Sequence, residues 1–188
     1  MVVLPDNAEN GKQTMEYEVP WFVPESIHFL DGLLTKDMSV LEFGSGGSTI
    51  FFSRRVKSVV SYENFPVWYS NMLFALRSKG ITNVDMQFYK GREAYPTGEF
   101  NCILIDPYGP GWGWLLQRTI PLLIDQKILI IDNYSHHPFD AMDMKVFDQQ
   151  YGENYVIKTW DHPEWSGSGT RIYMSKNGIE QVTTRSLV

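Results

Sequence analysis

Residues 40–49 read VLEFGSGGST, an apolar, strand-like run that meets a carboxylate at Glu42 and then breaks into three glycines. A buried strand needs neither an acid near its end nor so much backbone freedom after it, so the turn is a candidate for holding a ligand. A phosphate-binding loop would place Lys and then Ser or Thr after its second glycine, and this turn has neither in that register. The dinucleotide fingerprint G-x-G-x-x-G fits Gly44 and Gly46 but finds Thr49 where its third glycine belongs. Glu42, two residues before Gly44, would repel a pyrophosphate and attract a cationic ligand.

Outward from this turn, strand-like and helix-like stretches alternate. PESIHFLDGLL (24–34) reads as a helix, with Pro24 in its first turn and Ile27, Leu30 and Leu34 on one face. MSVLEF (38–43) is a buried strand, and STIFFSRRV (48–56) a helix capped by Ser48 or Thr49. SVVSYE (58–63) is a second strand, followed by a helix over 66–80 that Gly80 closes. NVDMQFY (83–89), FNCILID (100–106) and KILIID (127–132) are three further strands. A helix in WLLQRTIPLLI (114–124), broken or kinked at Pro121, separates the last two, and 139–151 is another amphipathic helix. NYVIKTW (154–160) and TRIYMS (170–175) close the chain as an antiparallel pair. The pattern predicts an α/β, Rossmann-like, doubly wound and mostly parallel seven-stranded sheet with an antiparallel C-terminal strand pair.

Bulk composition narrows the class. A chain of 188 residues with 43% hydrophobic content suits one domain with a full core. We divide it into an N-terminal arm over 1–23 and a single domain over 24–188. The formal charge of −6 argues against a surface that coats nucleic acid. The single cysteine, Cys102, lies in an apolar run and is read as core filler. No basic and then apolar leader and no long apolar span is visible, so a cytoplasmic protein without membrane contact is expected.

Ligands of parallel sheets bind beyond the carboxyl ends of the strands. Those ends are Glu42 with the glycine turn, Glu63, the Lys90-Gly91-Arg92 region, Asp106, and Asp132-Asn133. Four of the five carry a carboxylate, which marks one site.

On Glu42-Phe43-Gly44-Ser45-Gly46-Gly47-Ser48 the sequence resembles the class I S-adenosylmethionine-dependent methyltransferases, with Ser48 in place of the third glycine of the commonest motif. The resemblance runs from about Pro24 to Ser175 and includes the closing antiparallel pair. It implies that the glycines let the backbone approach the cofactor and that Glu42 lies near the methionine amino end. It also implies that Glu63, at the end of the next strand, accepts the ribose hydroxyls. The implied cofactor set is Glu42, Gly44, Ser45, Gly46, Gly47, Ser48, Glu63, Asn64, Gly91, Arg92 and Asp106.

Asp106 and Asp132-Asn133 are similar to the strand-end residues of the metal-dependent O-methyltransferases of the catechol and caffeoyl-CoA type. That likeness implies Asp106 and Asp132 as catalytic residues. It further implies a divalent cation held by Asp106, Asp132 and Asn133, and oxygen-only ligands suit Mg²⁺ or Ca²⁺ rather than zinc. Pro107-Tyr108-Gly109-Pro110, after Asp106, departs from those enzymes. Asp106-Pro107-Tyr108 is also a poor match to the D-P-P-Y motif of enzymes that methylate adenine amino groups. His136 and His137 follow the fifth strand, where a general base could reach a substrate, and surface loop is the competing reading. His162 is a weaker candidate of the same kind. Trp112 and Trp114 either cover an apolar substrate or pack on the next helix, and Trp68 and Tyr69 either join the core or wall the adenine side.

The expected function is methyl transfer from S-adenosylmethionine to a small molecule, at oxygen. A catalytically silent cofactor-binding module, or transfer to nitrogen or a macromolecule, stands as the alternative. A homodimer is compatible with the sequence. A nicotinamide oxidoreductase is disfavoured by Glu42 and the absent third glycine.

Overall fold

The computed structural model describes residues 15–90, 96–107, 113–134, 145, 147–149, 152–162 and 169–176. Its centre is a seven-stranded sheet of β1 (Ser39–Phe43), β2 (Ser58–Glu63), β3 (Val84–Phe88), β4 (Phe100–Ile105), β5 (Leu123–Asp132), β6 (Tyr155–Asp161) and β7 (Gly169–Ser175). The spatial order is β3-β2-β1-β4-β5-β7-β6. The first five strands are parallel, and β7 runs antiparallel to both of its neighbours, β5 and β6. The doubly wound α/β sheet and its antiparallel closing pair are as the alternation of elements implied.

Period-two alternation along β1 assigns its side chains to two layers. Val40 joins a cluster with Ile27 and Leu30 of α1 (Pro24–Leu33) and Phe51 and Phe52 of α2 (Gly47–Ser53). Leu41 and Phe43 join the opposite cluster, with Leu115 and Leu116 of α4 (Gly113–Thr119) and Tyr173 of β7. Between α2 and β3, α3 (Pro66–Ser78) buries Met72 and Leu76 against Ile50 and Met86. Gly80 closes α3 at φ +64°, the left-handed position expected of a helix-ending glycine. Cys102 is a free thiol in the first cluster, fully buried.

Two boundaries differ from the sequence reading. The helix expected over 114–124 ends at Thr119, and a 3₁₀ turn over Ile120–Leu122 hands the chain to β5 at Leu123. Pro121 cannot donate to a continuing helix, so the proline stops it and the apolar residues beyond become strand. The arm over 1–23 contributes to the core in its last residues, since Val19, Phe22 and Val23 are buried and Glu18 pairs with Arg54 and Lys79. Of the helix expected over 139–151, residues 145 and 147–149 are described, and they are helical. No helix among the described residues is long and apolar enough to cross a membrane.

Candidate active site

The chain runs outward through β1, β2 and β3 and then returns to lay β4 beside β1, so the topological switch lies between β1 and β4. The glycine turn leaves β1 at this point. Gly44 takes φ +91°, and a Cβ there would fall 1.9 Å from the carbonyl oxygen of Asp106. Only glycine lets the two strand ends meet backbone to backbone. The neighbouring hydrogen bonds fix the approach: Gly44 N donates to Tyr62 O and Asp106 N to Phe43 O, both at 2.9 Å. The structure thus brings Gly44, Ser45, Gly46, Glu63 and Asp106 together around one switch point.

Glu42 lies beneath this turn and is fully buried. Ser48 Oγ donates to its Oε1 at 2.5 Å, and Thr49 Oγ1 and Ser61 Oγ donate to its Oε2 at 2.6 Å. Ser61 is the residue directly across the β1–β2 register, and Ser48 and Thr49 open α2. Glu42 therefore knits β1 to both elements that flank the turn. Burial pushes its carboxyl up to about 7, against the three hydroxyl bonds that favour the anion.

Glu63, almost fully buried at the end of β2, is bonded on both carboxylate oxygens. Oε2 accepts from Ser45 N at 2.9 Å and Ser45 Oγ at 2.8 Å. Oε1 accepts from Asn64 N at 2.8 Å and Phe65 N at 2.7 Å. On its other side the Ser45 carbonyl accepts the indole N–H of Trp68, so Trp68 braces the turn from α3. Gly47 and Ser48 begin α2 and are buried behind it.

At the ends of β4 and β5, Asp106 and Asp132 form a second acidic group. Asp132 is buried, and Thr170 Oγ1 donates to its Oδ1 at 2.5 Å. Thr170 lies across the β5–β7 register from Asp132, and its hydroxyl also accepts Val23 N at 3.2 Å. Asn133, at φ +54°, turns its amide nitrogen to Asp132 Oδ2 at 3.0 Å and also bonds Asp106. Burial raises the affinity of both aspartates for a proton above the ordinary carboxylate range, and for Asp132 the charge of Asp106 adds to it.

Beyond Asp132, Tyr134 lies beneath the Arg171 guanidinium, 4.2 Å from ring centroid to Cζ, and donates its hydroxyl to Asp161 at 2.7 Å. Trp114 packs on the cluster behind β4, with Arg118 over its ring. Tyr69 faces Phe88 and bonds Met86 O, a packing role at the edge of the sheet. His162 directly follows β6. Gly91, Arg92, Tyr108, Gly109, Pro110, Trp112, His136 and His137 lie outside the described residues. The residues that sequence reasoning missed are the hydroxyl partners Ser61 and Thr170. Each is set opposite a buried acid by strand register, and a single serine or threonine in an apolar strand carries no signal of that pairing.

No protein-family model and no curated protein sequence matches the chain. Solved structures do match. The O-methyltransferase TomG of Streptomyces achromogenes, in complex with S-adenosylmethionine, aligns at TM-score 0.67 and 15% identity over 93% of this chain and 92% of its own. An O-methyltransferase of Bacillus cereus, in complex with S-adenosylhomocysteine, aligns at TM-score 0.66 and 16% identity over 91% and 94%. An rRNA methylase of Streptococcus thermophilus aligns at TM-score 0.65 and 15% identity over 80% and 92%. This chain therefore has the fold of the class I S-adenosylmethionine-dependent methyltransferases.

Proposed function

We propose that the protein is a methyltransferase that binds S-adenosylmethionine at the carboxyl ends of β1, β2 and β4 and methylates an oxygen of a small molecule. The observation that carries the reading is Glu63, a nearly buried acid at the end of β2 locked against the glycine turn of β1. An acid there can accept from a ribose diol, and Glu42, beneath the same turn, disfavours a pyrophosphate. When bound, the cofactor would supply a sulfonium methyl group, which the acceptor takes by in-line attack on the methyl carbon while the neutral thioether leaves.

What remains for the chain is to align the acceptor and remove its proton. Asp106 and Asp132 suit the second task. Asp106, its carboxyl raised by burial to about 7, can take a hydroxyl proton near neutral pH, while Asn133 and Thr170 hold the Asp132 carboxyl in place beside it. The net charge of −6 favours a small acceptor over a polynucleotide.

A divalent cation fits this site less well. Two carboxylates and an amide oxygen are a hard-cation donor set, but Asn133 presents its nitrogen, already bonded to Asp132. Among the described residues no group of three His, Cys, Asp or Glu could hold a metal ion.

Calorimetric titration with S-adenosylmethionine, S-adenosylhomocysteine and NAD tests the cofactor, and tighter binding of NAD would overturn the reading. Incubation with methyl-labelled S-adenosylmethionine and a cell extract, fractionated into metabolites, RNA and protein, tests the acceptor. Label in the metabolites supports a small molecule, label in RNA or protein replaces it, and binding without transfer leaves a cofactor-binding module.

A further inference from the structure

Glu63 is already fully subscribed. A carboxylate offers about four lone-pair positions, and protein donors occupy that many here: Ser45 N and Oγ on Oε2, Asn64 N and Phe65 N on Oε1. Three of the donors are backbone N–H groups. Those of Asn64 and Phe65 follow Glu63 directly into α3, and the Ser45 peptide is braced by Trp68 at its carbonyl. None of them can withdraw without moving an element. The Ser45 hydroxyl alone can leave by a single side-chain rotation.

We propose that Ser45 is a built-in competitor for Glu63: its hydroxyl holds the position that one hydroxyl of a ligand diol must take, and turns away when the diol docks. The inference rests on the reading of this site as one for an adenosyl cofactor. Its consequence is a penalty on affinity. With the three backbone donors fixed, a ligand hydroxyl that reaches Glu63 exchanges for the serine's bond and does not add to it. Ser45 is thus an affinity-setting residue that acts by being displaced.

The competition makes an unusual prediction, that removing a polar group from the site strengthens binding. Ser45→Ala should bind S-adenosylhomocysteine roughly threefold to tenfold tighter than wild type, since the ligand no longer displaces a bond to a charged acceptor. It should also melt at a lower temperature without ligand, having lost that bond. Ser45→Cys, which keeps the bulk but donates weakly, should shift affinity in the same direction.

The experiment is calorimetry on wild type, Ser45→Ala, Ser45→Cys, Glu63→Ala and the Ser45→Ala/Glu63→Ala double variant. Tightening with Glu63 present and none with Glu63 removed supports the proposal. Equal or weaker binding by both Ser45 variants overturns it while leaving the cofactor reading intact, because the hydroxyl would then assist the ligand. Tightening that persists without Glu63 also overturns it. Wild type that binds no S-adenosylhomocysteine at all would instead remove the cofactor reading, and this inference with it.

Discussion

The Cα of Gly44 and the carbonyl of Asp106 are packed so closely that an added methyl group on the glycine would lie 1.9 Å from the oxygen. The contact joins the ends of two neighbouring parallel strands at the switch point. Gly44→Ala should therefore damage the fold first and any ligand site second. A loss of roughly 3 kcal/mol or more, or failure to fold, follows from the clash with backbone and the positive φ. Chemical denaturation of the variant checks it, and stability within 1 kcal/mol of wild type would mean that the two strand ends can separate freely.

Glu42 predicts a pH dependence. Its carboxyl is raised in the folded protein from an ordinary 4.5 to about 7, so the folded state holds a proton that the unfolded state has released between those values. The stability it contributes is fully present below 4.5 and is lost as pH rises through about 7. Glu42→Gln, which cannot ionise, should gain on wild type over that window by at most roughly 3 kcal/mol and run parallel to it above. Urea denaturation of both proteins at pH 5 and pH 8 measures the difference, and an unchanged gap would refute it.

Thr170 bridges Asp132 and the backbone of Val23 with one hydroxyl. Thr170→Val keeps the shape and leaves a buried carboxylate oxygen and a buried N–H without that partner, at a cost of about 1–3 kcal/mol. Thr170→Ser should recover most of it. Paired thermal melts decide the matter, and equal melting of the valine and serine variants would show that the hydroxyl contributes nothing.

Asp106 and Asp132, both bonded to Asn133, lead to an expectation about cations. With S-adenosylhomocysteine present, millimolar Mg²⁺, Ca²⁺ or Mn²⁺ should leave the melting temperature unchanged, because a ligand must bind the folded state to raise it. Asp132→Asn should lose methyl transfer while keeping S-adenosylhomocysteine affinity. A rise with Mg²⁺ that Asp132→Asn abolishes would instead place a cation between the two aspartates.

The parallel part of the fold was legible because four of its five strand-like runs carried an acid at or next to their end and were followed by a helix with its own period, NVDMQFY (83–89) being the exception. Glu42, Glu63, Asp106 and Asp132 stood out for the same reason, as acids closing apolar runs. The supporting groups did not. Ser61 and Thr170 meet their carboxylates through register across strands 19 and 38 residues away, and nothing local announces such a pairing. The end of α4 was blurred because Leu122 and Leu123, just beyond Pro121, continue an apolar pattern that helix and buried strand share, so the proline read equally as a kink or a break. Nor does the order of residues reveal that Glu63 spends its lone pairs on the protein itself, since three of its four bonds come from backbone.

The position of β7 has a consequence for how the chain is made. It slots between β5 and β6, both of which precede it in sequence. On a ribosome the growing chain must therefore carry β5 with one edge unpaired, and β6 with no neighbour to bond, until residues 169–175 emerge. Those bare edges are the surfaces on which unfinished chains adhere to one another. A premature stop just after β6 would not yield a slightly shorter protein but a sticky fragment, its sheet left open like an arch without its keystone.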